Sequence, residues 1–183
     1  MNIQVINTPR LQVRPMMESD ATDVIEILGD QETAKLGGIK PIVNMDEAVE
    51  YATRNVPDCQ MLAIVRNQIT PEVVGIIEVY PKYHLFGPFC IMDSYCLGYY
   101  TKKSERGNGY MTEAVSALKS YLFDEGISEL TVGVFPRNEA SRKVALKCGL
   151  SSEGVIEGFL EFSEDEKEDV EFFSQINPIY LDN

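Results

Sequence analysis

The sequence has no apolar run long enough to cross a membrane, because none approaches the roughly 18–20 residues that a spanning helix needs. Its first residues, Met1-Asn2-Ile3-Gln4, lack the basic and then apolar pattern of a signal peptide. The four cysteines form no CxxC pair and have no histidine partner at metal-ligand spacing. These absences argue against a membrane span and a metal site, and they predict a cytoplasmic protein with reduced thiols.

Basic residues are also scarce. The 183 residues include 16 Lys and Arg against 29 Asp and Glu, which gives a net charge of −13. Nucleic-acid binding needs basic surface to neutralise phosphates, so this balance argues against that class of partner. An acidic protein is compatible with a cationic or amine-bearing substrate, although net charge mostly affects solubility. The acidic run Glu164–Asp169 is interpreted as a solvated turn.

The order of apolar patterns predicts one α/β domain over residues 1–183, with a mixed sheet. Ser19 is a candidate N-cap for the first helix. The segment 81–92 contains Gly87-Pro88 and is interpreted as an irregular insert. The predicted strands are 11–15, 60–66, 73–80, 95–100, 129–135, 155–162 and 170–176, and the predicted helices are 20–28, 46–55, 110–122 and 138–147.

A glycine-spaced loop, Arg106-Gly107-Asn108-Gly109, runs directly into an amphipathic helix that begins at Tyr110. Glycines allow a tight turn and a close approach between the backbone and a ligand. The first N–H groups of a helix and the positive end of its dipole favour an anion at this place. The loop has neither the Gly-Lys-Ser/Thr of a Walker motif nor the third glycine of a Rossmann fingerprint. It therefore predicts a phosphate-bearing ligand without saying which one.

A second motif, Asn138-Glu139-Ala140-Ser141, leaves a predicted strand and opens a helix. Asn138 is well suited as the N-cap, because its side-chain oxygen can accept from the first turn. Ser141 then lies in that turn and faces back toward the end of the strand.

Together with Thr8-Pro9-Arg10-Leu11, Leu97-Gly98-Tyr99 and Lys147-Cys148-Gly149-Leu150, these two motifs resemble the GNAT acetyltransferase superfamily. Within it, the chain is similar to the branch that includes the bacterial ribosomal-protein N-terminal acetyltransferases. The resemblance implies the GNAT acyl-CoA N-acyltransferase fold, an α/β (α+β) architecture whose mixed, mostly antiparallel central sheet is flanked by helices. It also implies a splayed strand pair that holds the cofactor, and it is the sole reason to expect a homodimer.

The resemblance implies acetyl-CoA as co-substrate, with no metal. Main-chain donors of the glycine loop would hold its pyrophosphate, the splayed strand would pair with the pantetheine arm, and Asn138 would lie near the acetyl end. The residues assigned to the coenzyme in this way are Leu97, Tyr99, Tyr100, Thr101, Arg106, Gly107, Asn108, Gly109, Tyr110, Met111, Asn138 and Ser141.

The implied reaction is direct acetyl transfer to a primary amine, either a protein N-terminal amine or a small-molecule amine. The tyrosine that many members use to protonate the leaving thiolate falls at Ala145, and Ser141 is assigned that role instead. A carboxylate acting through water could take the amine proton. The candidates are Glu78, Asp93 and Glu157, none of which is distinguished by its spacing, and His84 is a further candidate.

Two other functions stay open. A detoxifying enzyme would acetylate an antibiotic, a polyamine or an amino-acid analogue. A non-catalytic module would bind coenzyme A without turnover.

Overall fold

The structure is a computed structural model that describes residues 3–54, 59–86, 89–163 and 166–181. The side chains of residues 83–86, 89–93, 161–163 and 166 lie outside that description. Across the described ranges, no helix is both long and apolar enough to span a membrane.

The chain divides into two compact units. The first consists of Met1–Tyr80 and Gly98–Tyr121, and the second of Pro81–Leu97 and Leu122–Asn183. A single domain over residues 1–183 stays a prediction.

The first unit contains antiparallel strands, in the order β1 (Ile6–Asn7), β2 (Leu11–Pro15), β3 (Gln60–Arg66) and the start of β4 (Glu72–Phe86). In β2, Leu11 and Val13 are fully buried while Gln12 and Arg14 are partly exposed, as the alternating sequence predicts. β3 is instead buried along most of its length, which agrees with its continuous apolar sequence.

The helices of this unit are α1 (Ala21–Leu28), α2 (Gln31–Gly37) and α3 (Met45–Ala52). Polar side chains start two of them: Asp30 accepts the N–H of Thr33, and Asn44 accepts that of Glu47. Apolar residues of the helices and strands form one buried cluster, which includes Val24, Ile27, Ala48, Tyr51, Ala63, Val73 and Ile76.

The remaining elements are β5 (Phe89–Thr101), α4 (Tyr110–Asp124), β6 (Glu129–Val134), α5 (Glu139–Lys147), β7 (Ser151–Ser163) and β8 (Glu166–Ile176). In the second unit β5 and β6 pair in parallel, and β6 and β7 each pair antiparallel with β8. The predicted mixed and mostly antiparallel sheet is therefore confirmed. The predicted apolar face of α4 is also confirmed, because Met111, Ala114, Val115 and Leu118 are buried.

One local prediction near the N-terminus was wrong, and one helix there was not predicted. α1 begins at Ala21 and its N-cap position is Asp20, not Ser19. The Asp20 carboxylate does not cap the helix, because both its oxygens accept from the Arg14 guanidinium, at 2.7 and 2.8 Å. The helix α2 was not predicted, since its short sequence has little apolar periodicity.

The interpretation of residues 81–92 as an irregular insert was also wrong. β4 continues through Pro81 to Phe86, and β5 begins at Phe89. Residues 87–88 lie outside the described part. The acidic run 164–169 is not a turn over its whole length, because β8 starts at Glu166.

Candidate functional site

The glycine loop joins a short 3-10 turn, Lys103–Glu105, to the first residue of α4. Gly107 and Gly109 have φ values of 82° and 78°. Both lie in the left-handed region, which glycine enters without steric cost. A Cβ placed on Gly107 would meet nothing within 4 Å among the described residues. The backbone therefore turns tightly while the Gly107 side of the loop stays open.

The first turn of α4 brings main-chain donors to this loop. Its first ladder bond runs from the Glu113 N–H to the Gly109 carbonyl, at 3.1 Å. The N–H groups of Tyr110 and Met111 precede that bond, so the helical ladder does not use them. Gly109 holds the N-cap position and has no side chain with which to cap them. Main-chain donors and the positive end of the helix dipole therefore coincide at the loop, which is what an anion site requires.

The polar side chains of the loop are engaged with their surroundings. The Arg106 guanidinium donates to Thr33 Oγ1 at 2.8 Å and lies 3.3 Å from Glu32 Oε1. The Asn108 amide donates to the Glu105 carbonyl at 3.2 Å. What the loop offers a ligand is therefore chiefly its main chain.

The end of β5 carries the strand residues assigned to the coenzyme arm. Its parallel ladder with β6 ends where Leu97 pairs with Val132, although β5 continues to Thr101. Leu97 and Tyr100 are buried, whereas Tyr99 and Thr101 are partly exposed. The main chain of this segment is accordingly the candidate contact.

Glu78 is a buried carboxylate in the first unit, with 6% of its surface exposed. Its oxygens accept from the hydroxyls of Tyr51 at 2.5 Å and Tyr100 at 3.3 Å. A Cβ on Gly98 would lie 2.7 Å from Glu78 Oε2, so the glycine leaves room for the carboxylate. Burial raises the pKa of Tyr51, Tyr80 and Tyr100, and the charge of Glu78 raises it further. The tyrosines therefore stay protonated as donors.

None of the ion pairs found among the described residues includes Glu78. The hydrogen bonds to its oxygens that the described residues provide come from hydroxyl groups. A buried carboxylate in such a setting is a candidate for binding an ammonium group or accepting a proton.

In the second unit, Asn138 caps α5. Its side-chain oxygen accepts the N–H of Ser141 at 3.1 Å, which confirms the predicted N-cap. Ser141 is partly buried. The capping bond fixes the first turn that carries this serine.

The other predicted acid–base groups are less informative. Asp93 lies in β5 and His84 in β4, and the side chains of both are outside the described part. Glu157 lies in β7 and is exposed. Where side chains are described, no group of three or more metal-ligating residues occurs.

A family model described as an acetyltransferase (GNAT) domain matches residues 10–151, most of the chain. The chain belongs to the GNAT acetyltransferase family. One relative is YoaA, an uncharacterized N-acetyltransferase of Bacillus subtilis (strain 168), which is 25% identical over 161 residues. That similarity covers 85% of this chain and 88% of YoaA.

Solved GNAT structures share the fold. An acetyltransferase of Bacillus anthracis has a TM-score of 0.79 at 20% identity, covering 96% of this chain and 99% of that one. RimL, a ribosomal L7/L12 alpha-N-protein acetyltransferase in complex with coenzyme A, has a TM-score of 0.76 at 19% identity. That similarity covers 94% of this chain and 98% of RimL. The microcin C7 self-immunity acetyltransferase MccE, in complex with acetyl-CoA and AMP, has a TM-score of 0.72 at 17% identity. That similarity covers 92% of this chain and 93% of the MccE chain. At these identities the similarity shows the fold alone.

The predicted GNAT fold and the predicted enzyme class are thus confirmed. Two features of the candidate site were not predicted: the bond from Tyr51 to Glu78, and a bond from Arg10 to the Asn108 carbonyl. Arg10 belongs to the motif Thr8–Leu11 on which the resemblance partly rests, so a signal was present. Tyr51 carries no local signal, because it lies 27 residues from its partner.

Proposed function

We propose that this GNAT acetyltransferase moves the acetyl group of acetyl-CoA to a primary amine, and that the loop Arg106–Met111 holds the coenzyme pyrophosphate. The observation that carries the proposal is the start of α4. Two glycines with positive φ lie there, and the space beside Gly107 is open to a ligand. The N–H groups of Tyr110 and Met111, which the helical hydrogen bonds do not use, lie at the same place. Main-chain donors at a helix start are suited to binding phosphate oxygens.

The main chain at Tyr99–Thr101 is proposed to bind the pantetheine arm. Support comes from the early end of the β5 ladder, since strand groups beyond Leu97 do not continue that pairing. Bound acetyl-CoA supplies the thioester whose carbonyl carbon the amine attacks. The N–C bond forms as the C–S bond breaks, so the amine must lose a proton and the sulfur must gain one.

Glu78 is the proposed acceptor of the amine proton. An ammonium has no lone pair, and an α-ammonium, with a pKa of about 7.7–8.0, is easier to deprotonate than a lysine near 10.4. The buried Glu78 carboxylate has no cationic partner among the described ion pairs, and protonated tyrosines hold it in place. Asp93 stays a second proposed base. Ser141 is the proposed donor of a proton to the leaving sulfur, supported by its fixed place in the first turn of α5.

The acceptor is proposed to be a protein N-terminal α-amine, with a small-molecule amine as the second candidate. The similarity to RimL favours the first, and the similarity to MccE favours the second. The acidic composition suits a cationic acceptor of either kind.

The test is thiol release from acetyl-CoA across peptides with free N-terminal amines, the same peptides N-acetylated, polyamines and aminoacyl analogues. Turnover is expected with free amines and not with the blocked peptides. Tight coenzyme binding without turnover on any amine would overturn the proposal in favour of a non-catalytic module.

The same assay tests the base. Glu78→Gln keeps an acceptor for the tyrosine hydroxyls but cannot take a proton, so turnover should fall by about 100-fold. Coenzyme affinity should stay unchanged. The control is Glu50→Gln, an exposed carboxylate on α3 next to Tyr51. Equal turnover in Glu78→Gln and wild type would exclude Glu78 as the base.

A further inference from the structure

The side chain of Arg10, near the N-terminus, contacts the glycine loop. Arg10 lies just before β2, and its Nη1 donates to the Asn108 carbonyl at 3.0 Å. Its guanidinium also lies over the Tyr110 ring, with its carbon 4.8 Å from the ring centroid. Arg10 therefore contacts both the loop and the first residue of α4.

The bond to Asn108 has a consequence for the neighbouring donor. The Asn108 carbonyl and the Gly109 N–H belong to one planar trans peptide, so they point in opposite directions. Holding the carbonyl toward Arg10 turns the Gly109 N–H away from Arg10. Between two positive-φ glycines this peptide would otherwise have unusual rotational freedom.

A second set of bonds connects Arg10 to Glu113 in the first turn of α4. Arg10 Nε donates to Glu113 Oε2 at 2.6 Å, and the Arg10 N–H donates to Oε1 at 3.0 Å. The Thr8 hydroxyl adds a third bond, to Oε1, at 2.6 Å. Within the described part of the chain, the hydrogen bonds to this carboxylate thus come from the Thr8–Arg10 segment.

The state of Glu113 matters because it is a negative charge beside the proposed anion site. Burial acts to raise the pKa of Glu113, but the hydrogen bonds from Thr8 and Arg10 outweigh it, so the pKa is lowered. The carboxylate is therefore ionised at neutral pH. An unpaired charge there would repel a phosphate, and the Arg10 guanidinium offsets it.

We propose that Arg10 is a positioning residue for coenzyme binding: it fixes the Asn108–Gly109 peptide so that its N–H is presented to the pyrophosphate, and it shields that anion from Glu113. This inference rests on the proposed function of the loop. Arg10 acts through the loop and needs no contact with the coenzyme.

The test compares two donors on wild type and Arg10→Met. Acetyl-CoA contains the pyrophosphate, and S-acetylpantetheine does not. Arg10→Met should raise the KM for acetyl-CoA and the Kd for coenzyme A by about tenfold. The KM for S-acetylpantetheine and the kcat should stay within about twofold of wild type. An equal change with both donors, or no change with either, would overturn the role of Arg10.

Two further variants separate positioning from stability. Arg14→Met removes the two-bond pair with Asp20 in the same unit, and it should lower the melting temperature without changing the Kd for coenzyme A. Arg10→Lys keeps the charge but cannot span Asn108 and Glu113 together, so its Kd should be intermediate. A lysine variant as weak as Arg10→Met in a fully folded protein is consistent with the peptide role and contradicts the shielding role.

Adding Glu113→Gln to the Arg10→Met variant measures how much the negative charge of Glu113 weakens coenzyme binding. Removing the unpaired carboxylate should restore part of the lost affinity, by about threefold. No recovery would reject the shielding role. If wild type binds neither coenzyme A nor acetyl-CoA, both the proposed function and the proposed role of Arg10 are rejected. If wild type binds and Arg10→Met binds equally well, the inference about Arg10 fails alone.

Discussion

The helices α4 and α5 both follow a strand and both have an acidic residue in the first turn. They differ in whether a side chain caps their first N–H groups. At α5 the Asn138 side chain accepts one of those groups, from Ser141. At α4 the N-cap position is Gly109, which has no side chain to do so. A side chain therefore caps the start of α5, and the position before α4 has no side chain that could do so.

The first turn of a helix can serve either of two purposes. A helix start with a polar cap is a structural device that stabilises the helix. A helix start without a side-chain cap, beside a glycine turn, has main-chain donors that are suited to binding an anion. The residue just before the helix decides between them.

Filling the glycine turn should have the largest effect. In Gly107→Val the side chain occupies the open side of the loop, and the φ of 82° is strained for a β-branched residue. The Kd for coenzyme A should rise by about 100-fold, measured by calorimetry.

The matched control is Gly126→Val. Gly126 has a φ of 88° and open space for a Cβ among the described residues, but it lies beyond the end of α4. It carries the same backbone strain and should leave the Kd unchanged. Unchanged coenzyme affinity in Gly107→Val would remove the claim that the loop holds the pyrophosphate.

A smaller effect is expected at the capped helix. Ser141→Ala keeps the N–H that Asn138 accepts, so α5 should keep its stability while losing the proposed proton donor. The kcat should fall by about tenfold, with the Kd for coenzyme A unchanged. Steady-state kinetics measure the kcat, and calorimetry measures the Kd. Wild-type turnover would reject the acid role of Ser141.

The smallest effect is expected from removing the cap itself. Asn138→Ala should lower the free energy of unfolding by about 1 kcal/mol, because an N–H in the first turn loses its acceptor. Chemical denaturation measures the change. Asn138→Ser, which can still cap, should lie closer to wild type. An alanine variant as stable as wild type would show that the cap contributes little, and the contrast with α4 would then lose its basis.

Much of the candidate site could be predicted because its signals are local. The glycines at 107 and 109 and the asparagine at 138 each act within a few residues of their place in the chain. The wrong prediction for residues 81–92 lies where distant contacts override local preference. Pro81 normally marks the end of a strand, yet β4 continues beyond it. There the Lys82 ammonium reaches Glu129 Oε2 at 2.8 Å, across 47 residues of sequence.

The base candidates show the same limit. The carboxylates Glu78 and Glu157 look alike in sequence, and burial separates them, since Glu78 is enclosed by tyrosines while Glu157 is exposed. Their environments come from strand pairing and helix packing, which bring Tyr51 and Tyr100 to Glu78.

By itself, the sequence determined the family, the glycine turn, the helix that follows it and the Asn138 cap, because each depends on backbone preferences within a few residues. Only the tertiary structure decided that Glu78 is a buried carboxylate bonded to tyrosines and that Arg10 donates to the Asn108 carbonyl of the loop. The physical reason is separation along the chain. Arg10 and Glu113 lie 103 residues apart, and only the packed fold places a guanidinium beside that carboxylate.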